Sequence, residues 1–119
     1  MFEDFVRVKA DAFITGTDPI LLDRREQIVS FASRQRVPAV YFVRQFAAAG
    51  GLLSYGPSIS WMYRQAGEYV AQILKGAKTA EMPVMQPTQF EFVLNMKAAK
   101  ALGLSVPVSL QAAADEIID

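Results

Sequence analysis

Short apolar runs alternate with amphipathic segments along the chain, a pattern that predicts strands with helices between them. The run 10–16, ADAFITG, is apolar between polar neighbours and predicts a buried strand. The segment 21–36 gathers its large apolar residues on one side and most of its arginines on the other, which predicts a surface helix. Asp18 and Pro19 precede this helix as its N-cap and first-turn residues. The run 39–43, AVYFV, predicts a second buried strand, so this part of the chain predicts a right-handed βαβ unit.

The middle of the chain carries the clearest helical periodicity. RQFAAAGG, at 44–51, predicts a short helix that ends on glycine, and LLSYG, at 52–56, predicts an extended segment. Ser58 then predicts the cap of a helix that runs to about Lys75 and stops at Gly76. The apolar residues of this helix recur three and four positions apart, which indicates one continuous apolar side.

The rest of the chain predicts one more strand and two short helices. Apolar and polar residues alternate in TQFEFVL, at 88–94, as in a strand with a half-exposed face. Asn95 predicts the cap of a helix that ends at Gly103, and SLQAAADEII, at 109–118, predicts a final helix. The whole pattern is that of the α/β class, with parallel strands alternating with helices. In such sheets, ligands bind beyond the carboxyl ends of the strands.

Composition adds limits on the partners of the chain. The 119 residues suit one domain of modest size, and 52% of them are hydrophobic, which leaves apolar surface for a partner. The 12 basic and 12 acidic residues cancel, so the sequence predicts no nucleic-acid partner. No apolar run approaches the length that spans a bilayer, and the opening MFEDFVRVKADAF lacks the features of a signal peptide.

Enzymatic chemistry has little support in this sequence. Cysteine and histidine are both absent, which excludes disulfides, zinc sites with thiolate or imidazole ligands, and nucleophiles activated by histidine. No carboxylate pair is convincingly placed for acid–base work, and no GxGxxG or Walker pattern occurs. The sequence therefore predicts a protein that is not an enzyme and that uses no metal and no cofactor.

Four residues near the ends of strands are candidates for ligand binding. Asp18 can hold an amino or hydroxyl group of a ligand, although helix capping alone also explains its position. Tyr55 lies among glycines that let a ligand approach closely, or it is an ordinary half-buried aromatic residue. Arg44 and Phe46 follow the second predicted strand. Arg44 can pair with a carboxylate, but most surface arginines make no specific interaction.

Two further groups of residues have plainer interpretations. The aromatic residues of the long helix are expected in the core or at an interface: Trp61, Tyr63 and Tyr69. The carboxylates near the end of the chain are expected to form a solubilising tail: Asp115, Glu116 and Asp119. Neither group by itself predicts a site.

Several motifs, in register over nearly the whole chain, resemble a known family. They are RREQIV, AGGLLSYGPS, ILKGAKTAEMPV and QPTQFEFVLNMKAAKALGL. These motifs are similar to the C-terminal part of ABC transporter substrate-binding proteins with the type I periplasmic-binding-protein fold, in particular predicted amino-acid-binding (tryptophan-like) lipoproteins. The resemblance implies a two-lobed α/β fold that closes on a small organic solute, such as an amino acid, without chemistry.

The resemblance also implies how the chain is divided. Residues 1–51 would belong to the second lobe, and residues 52–57 would form a hinge crossing. Residues 58–119 would contain a first-lobe helix, a second crossing strand and the C-terminal helices. Asp18 and Tyr55 would then both face the cleft between the lobes.

The resemblance further implies an ABC permease as partner and, for a full-length family member, a periplasmic or membrane-anchored extracytoplasmic location. Because the motifs match the C-terminal part alone, we expect an incomplete two-lobed fold with unpaired sheet edges and uncovered apolar faces. We therefore expect a homodimer, in which the two copies can exchange elements. The alternative is a truncated α/β fragment that binds no solute and acts as a self-associating structural or interaction protein.

Overall fold

One mixed sheet organises the structure, a computed structural model that describes residues 2–119. Its strands lie side by side in chain order: β1 (Phe13–Ile14), β2 (Ala39–Tyr41), β3 (Leu53–Pro57), β4 (Phe90–Asn95) and β5 (Glu116–Ile118). β1, β2 and β3 are parallel, β4 is antiparallel to β3, and β5 is parallel to β4. The predicted α/β class is confirmed, with the antiparallel β3–β4 pair as the exception to the parallel arrangement.

Helices connect most of these strands. They are α1 (Phe2–Val8), α2 (Pro19–Asp23), α3 (Arg25–Gln35), α4 (Arg44–Ala48), α5 (Ile59–Leu74), α6 (Met96–Ala101) and α7 (Val108–Ala113), with a 3-10 turn at Thr79–Glu81. The three predicted N-caps are confirmed. The Asp18 carboxylate accepts a hydrogen bond from the backbone N–H of Ile20 at 2.8 Å. The side chains of Ser58 and Asn95 accept from the N–H groups three residues further on, at 3.4 and 2.9 Å.

The predicted helix over 21–36 is two helices in the structure. The break lies at Arg24, which ends α2 and begins α3. The apolar residues of both helices pack on the same core, Leu21 and Leu22 from α2 and Ile28 and Val29 from α3. The prediction of a single helix over this segment was therefore wrong, because the backbone of Arg24, at φ −93° and ψ 16°, departs from helical geometry.

The end of the chain also differs from its prediction. The helix expected over 109–118 stops at Ala113, and the last residues form β5 beside β4. Asp115 secures this pairing, since its backbone N–H donates to the carbonyl of Phe92 at 2.8 Å and its carboxylate accepts from the N–H of Phe92 at 2.7 Å. Glu116 is thus part of β5 and Asp115 is hydrogen-bonded to β4, so their assignment to a solubilising tail was wrong.

The core lies on the face of the sheet that carries α3 and α4. Its buried members are Ile28, Val29, Ala32, Ala39, Tyr41, Val43 and Phe46. The rings of Tyr41 and Phe46 stack with their centroids 4.8 Å apart, which joins β2 to α4. The opposite face is less covered, because Ile14 at the β1 edge is 78% exposed and Ile117 at the β5 edge is 42% exposed.

α5 makes the molecule elongated. Every residue of this helix is at least partly exposed, although it is the longest element of the structure. The chain measures 55 × 34 × 18 Å and has a radius of gyration of 17.6 Å. A closely packed domain of 119 residues has a radius of gyration of about 13.5 Å. α5 and the segment that returns from it therefore form an arm on a sheet-based body.

Candidate functional site

The carboxyl ends of β1, β2 and β3 lie along one border of the sheet, which we call the carboxyl border. β4 runs against β3, and β5 runs with β4, so the first residues of β4 and β5 lie at the same border. Side chains at the carboxyl ends of β1, β2 and β3 therefore meet side chains at the amino ends of β4 and β5. This border is where an α/β sheet offers a ligand both side chains and free backbone groups.

An aromatic cluster of Tyr55, Phe90 and Phe92 stands at this border. Tyr55 and Phe92 are directly opposite each other on β3 and β4. Phe90, which is opposite Pro57, belongs to the next pair on the same face. The Tyr55 ring stacks on Phe90 with centroids 5.8 Å apart and meets Phe92 edge-on at 6.5 Å. Tyr55 is 61% exposed and Phe90 is 50% exposed. The cluster thus presents an open apolar surface beside a phenol hydroxyl.

Gly56 fixes the backbone next to the aromatic cluster. A Cβ atom at this position would overlap the carbonyl oxygen of Phe42, which follows β2. β3 can therefore approach the end of β2 this closely only with glycine at position 56. The close approach holds Tyr55 at a set place relative to the turn between β2 and α4.

Arg44 and Glu116 form an ion pair on the other face of the same border. The Arg44 Nε and Nη2 atoms each donate to one Glu116 carboxylate oxygen at 2.6 Å. The hydrogen bond from Arg44 lowers the pKa of the Glu116 carboxyl below its ordinary value, and the hydrogen bond to Glu116 raises the pKa of Arg44. The pair joins the first residue of α4 to the first residue of β5. Arg44 is therefore a partner of a protein carboxylate in this structure.

Three polar side chains at the border have spare hydrogen-bonding capacity. Asp18 uses one carboxylate oxygen for its helix cap, and its other oxygen accepts no hydrogen bond from residues 2–119. Thr15 Oγ1, just after β1, and Gln45 Oε1, in α4, are buried atoms without a hydrogen-bond partner among the described residues. Asp18 follows β1 and Tyr55 lies in β3, and because one strand separates β1 from β3, their axes are about 10 Å apart.

Phe46 lies in the core rather than at the surface. Its exposed fraction is 0%, and its ring contacts Tyr41 and Phe42. The structure thus brings Arg44 and Tyr55 to the carboxyl border from opposite faces, with Asp18 further along it. Phe46 packs in the core beneath the carboxyl border.

Phe90, Glu116 and Thr15 are border residues that were not proposed from the sequence. The alternation in TQFEFVL predicted the strand that carries Phe90 but not the strand that it pairs with. Glu116 lies 72 residues from Arg44, and no local pattern predicts a contact over that separation. Thr15 directly follows β1 in the structure, but it lay inside the strand predicted over 10–16, so no pattern marked it as a border residue.

One cavity of the body lies away from the carboxyl border. A cavity of about 430 Å³ opens at the amino ends of β2 and β3, lined in part by Arg36, Tyr41, Leu52 and Lys97. The four candidate residues do not line it. The carboxyl border is an open surface, as one side of a cleft between two bodies would be. Within residues 2–119, no group of acidic side chains is arranged to hold a metal ion. None of the helices in this range combines the length and the apolar composition that a membrane span requires.

Solved structures of several bacterial proteins share this fold. A conserved domain protein from Vibrio cholerae O1 biovar El Tor str. N16961 matches 98% of the chain with a TM-score of 0.89 at 22% identity. An ABC domain in complex with L-Trp from Streptococcus pneumonia matches 95% with a TM-score of 0.87 at 27% identity. A ligand-free, open substrate binding protein with adhesive properties from Clostridium difficile matches 98% with a TM-score of 0.65 at 20% identity.

The matched region is part of a longer protein in each of these structures. The chain covers 39%, 38% and 39% of their respective lengths. A comparison with curated proteins gave no significant match. The family model for ABC transporter substrate binding proteins matches residues 4–118, almost the whole chain. This chain therefore belongs to the ABC transporter substrate binding protein family.

Proposed function

We propose that the carboxyl border is one side of a cleft that binds a small organic solute for import by an ABC transporter. The family match over residues 4–118 is the observation that carries the proposal. The family binds substrates and does not transform them, so binding by closure around the solute is the expected action. The partner of the solute-bound protein would be an ABC permease. The binding protein itself would lie outside the cytoplasm.

The chemistry of the border favours an amino acid, and an aromatic one in particular. The aromatic cluster offers stacking to a planar side chain, since Tyr55 and Phe90 already pair with their rings exposed. The free carboxylate oxygen of Asp18 suits an ammonium group. The neighbour from Streptococcus pneumonia holds L-Trp, which contains both groups. We therefore propose Asp18 and Tyr55 as ligand contacts, with Phe90 beside Tyr55.

Arg44 and Phe46 take supporting places in this proposal. Arg44 is already engaged by Glu116, so a ligand carboxylate has to share its guanidinium or displace Glu116. Phe46 cannot touch a solute without leaving the core. Its contribution is to hold the turn between β2 and α4.

The division of the chain is part of the same proposal. β3 ends in Pro57 and leads directly into the arm of α5, and β4 returns from the arm to the sheet. We propose residues 52–57 as one crossing and β4 as a second, with residues 1–51 in one lobe. The exposed apolar residues of α5 support this division, because a helix of this kind needs a second body to pack against.

Ligand-induced thermal shifts test the solute proposal. L-tryptophan, other amino acids and small aromatic carboxylates are added in turn, and a ligand that binds only the native state raises Tm. We expect Tyr55→Ala to abolish the shift that the best solute gives. Tyr63→Ala removes a tyrosine of α5 outside the border and should retain the shift. If none of these solutes changes Tm, the solute proposal is wrong.

Asp18 allows its two roles to be separated. Asparagine caps helices about as well as aspartate, so Asp18→Asn should change the free energy of unfolding by only a few tenths of a kcal/mol. The same variant loses the negative charge that would face an ammonium group, and its affinity for an amino acid should fall about tenfold or more. Unchanged affinity in Asp18→Asn would show that Asp18 is a helix cap alone.

We also propose that the chain forms a homodimer. The uncovered apolar face near Ile14 and the arm of α5 support self-association, because both expose side chains of the kind that proteins bury. Light scattering after size-exclusion chromatography measures the mass directly. A monomer at micromolar concentration would contradict the homodimer.

A further inference from the structure

The cavity at the amino ends of β2 and β3 takes no part in the proposed solute site, and we call it the amino-end cavity. Its volume of about 430 Å³ is within the range of pockets that hold small organic molecules. Its walls come from α3, from the amino ends of β2 and β3, from the turn between α4 and β3, and from α6. Both strands are interior strands of the sheet, so any further strand would pair at the β1 or β5 edge, away from this cavity.

Tyr41 is a wall residue of the amino-end cavity whose hydroxyl has no partner. It is 1% exposed, and within residues 2–119 its hydroxyl makes no hydrogen bond. Two contacts hold the ring in place. It stacks on Phe46 with centroids 4.8 Å apart, and a Cβ atom at Gly51 would lie 2.5 Å from Tyr41 Cε2. Because buried hydroxyls normally have a partner, an acceptor inside the cavity would complete the hydrogen bonding of Tyr41.

The charges that line the amino-end cavity are both positive. They belong to Arg36, at the end of α3, and to Lys97, in the first turn of α6. Among the described residues no acidic side chain lines the cavity, and neither cation has an ion-pair partner within residues 2–119. The chain as a whole has 12 basic and 12 acidic residues, so this positive charge is local. The cavity therefore favours an anion.

Arg36 occupies a backbone position that favours glycine. It ends α3 with φ 55° and ψ 38°, the left-handed conformation that glycine most often adopts where a helix ends. Its backbone N–H donates to the carbonyl of Ser33 at 3.1 Å, and glycine would make the same hydrogen bond. The end of the helix thus gives no reason for an arginine at this position. Its side chain supplies half of the positive charge of the cavity instead.

The rest of the lining is largely apolar and is held in place by Asn95. The Asn95 Nδ2 atom donates to the carbonyl of Ala47 at 3.1 Å, and its Oδ1 atom accepts from the N–H of Ala98 at 2.9 Å. These bonds fix the start of α6 against α4. The apolar part of the lining includes Val29, Ala32, Val37, Leu52, Ala98 and Leu102. The cavity can therefore surround an apolar body while its cations hold an anionic group.

We propose that the amino-end cavity is a second binding site, which takes a small organic anion, such as a carboxylate with an apolar body. Arg36 and Lys97 supply the positive charge, and the Tyr41 hydroxyl donates a hydrogen bond to the anion. Burial raises the pKa of Tyr41 to about 12, so this hydroxyl keeps its proton at neutral pH and remains a donor. The site lies at the opposite ends of the strands from the carboxyl border and does not depend on solute binding there.

Binding of para-fluorobenzoate, followed by fluorine NMR, tests the class of ligand. This probe has a carboxylate and a flat apolar body but no ammonium group. We expect saturable binding, and we expect the neutral para-fluorobenzamide, which has nearly the same shape, to bind at least tenfold more weakly. No binding of the carboxylate at millimolar concentration would overturn the proposal. Equal affinity for the two probes would also overturn it, because the cations would then have no role.

Variants of the cavity residues test its position. Tyr41→Phe keeps the ring and removes the donor, so we expect the Kd of para-fluorobenzoate to rise about tenfold. Lys97→Gln should also weaken binding, whereas Lys100→Gln, an exposed lysine of α6 outside the lining, should leave Kd unchanged. Unchanged affinity in both Tyr41→Phe and Lys97→Gln would place the probe elsewhere and overturn the site.

Arg36→Gly separates binding from folding. Glycine suits the left-handed backbone at this position, so the variant should be at least as stable as the natural chain in urea unfolding. It also loses a charge of the cavity, so its affinity for para-fluorobenzoate should fall several-fold. A loss of stability without a loss of affinity would show that Arg36 has a structural role alone and would overturn its part in the site.

Tyr55→Ala separates this site from the carboxyl border. The variant should keep its affinity for para-fluorobenzoate, because Tyr55 does not line the amino-end cavity. Loss of probe binding in Tyr55→Ala would place the probe at the aromatic cluster and overturn the second site. Lys97→Gln should in turn keep any thermal shift that L-tryptophan gives. Failure of either proposal therefore leaves the other intact.

Discussion

Gly56 is the residue at which the structure leaves least room for a side chain. It is buried in β3, and a Cβ atom there would overlap the carbonyl oxygen of Phe42. Backbone atoms cannot rotate away as a flexible side chain would. Any larger residue must therefore separate β3 from the end of β2, directly beside Tyr55.

We predict that Gly56→Ala destabilises the protein by roughly 3 kcal/mol, at the upper end of the usual cost of overpacking. Gly67→Ala is the matched control, since a Cβ atom at this position of α5 meets nothing within 4 Å. Alanine is a better helix former than glycine, so the control should gain about 0.5–1 kcal/mol. Urea unfolding of the two variants measures both values. Equal stability of the two variants would contradict the close approach.

Tyr41 is a titratable group in the core. Burial raises its pKa from 10.0 to about 12. Above pH 10 the unfolded chain releases this proton more readily than the folded chain does, so deprotonation favours unfolding. The stabilisation is complete below pH 10 and is lost as the pH rises through the folded pKa.

We predict that this residue makes the free energy of unfolding fall by up to about 1.4 kcal/mol per pH unit above pH 10. Tyr41→Phe keeps the stacked ring next to Phe46 but has no hydroxyl to titrate. Urea unfolding at several alkaline pH values should therefore give a shallower decline for Tyr41→Phe than for the natural chain. Parallel declines would show that Tyr41 does not contribute.

At the scale of elements, the Arg44–Glu116 pair connects α4 to β5. Its two hydrogen bonds are short, but both side chains are partly exposed, 46% and 39%, so solvent screens the attraction. The pair adds stability above the ordinary pKa range of glutamate. That stability is lost as the pH falls through the lowered pKa of Glu116.

We predict that Glu116→Gln lowers the free energy of unfolding by about 0.5–1 kcal/mol at neutral pH, and by less in high salt. The control is Glu26→Gln, which removes the exposed partner of Arg25, its neighbour in sequence, at 3.9 Å. This control should have almost no effect, because the Arg25–Glu26 pair joins no separate elements. A loss in Glu116→Gln that does not respond to salt would contradict an electrostatic origin.

The elements differ in how far local sequence determines them. The caps at Asp18, Ser58 and Asn95 were predicted because each depends on a side chain and an N–H group two or three residues away. The strand identity of residues 116–118 was missed, because it depends on β4, more than twenty residues earlier. The antiparallel direction of β4 was missed for the same reason, since the alternation of its residues does not indicate which strand lies beside it.

The candidate site, too, was predictable only where it depends on local sequence. Asp18 and Tyr55 were predicted because they follow or occupy strands that could be recognised locally. The stacking of Tyr55 on Phe90 and the pairing of Arg44 with Glu116 needed the order of the strands in the sheet. Phe46 lies two residues after Arg44 in α4, but only the packing of the helix shows that its ring points into the core.

At the scale of the whole molecule, the body and the arm differ in how far their apolar side chains are exposed to solvent. The sheet and α3 enclose a core in which Tyr41, Val43 and Phe46 are nearly inaccessible. The arm has its apolar side chains partly in water. Exposed apolar side chains contribute little to the stability of a monomer, so in the proposed homodimer the arm would gain its stabilisation from the second copy. The stability of the protein should therefore depend on its concentration.

We predict that Tm rises with protein concentration by roughly 3 to 5 °C for each tenfold increase, because two folded chains separate when they unfold. Differential scanning calorimetry over a range of concentrations measures this slope. Ala66→Arg places a charge among the exposed apolar residues of α5, so it should lower Tm at high concentration and flatten the slope. Ala71→Arg should keep the natural slope, because position 71 lies about 140° from position 66 around the helix. A Tm of the natural chain that is independent of concentration would contradict the proposed homodimer.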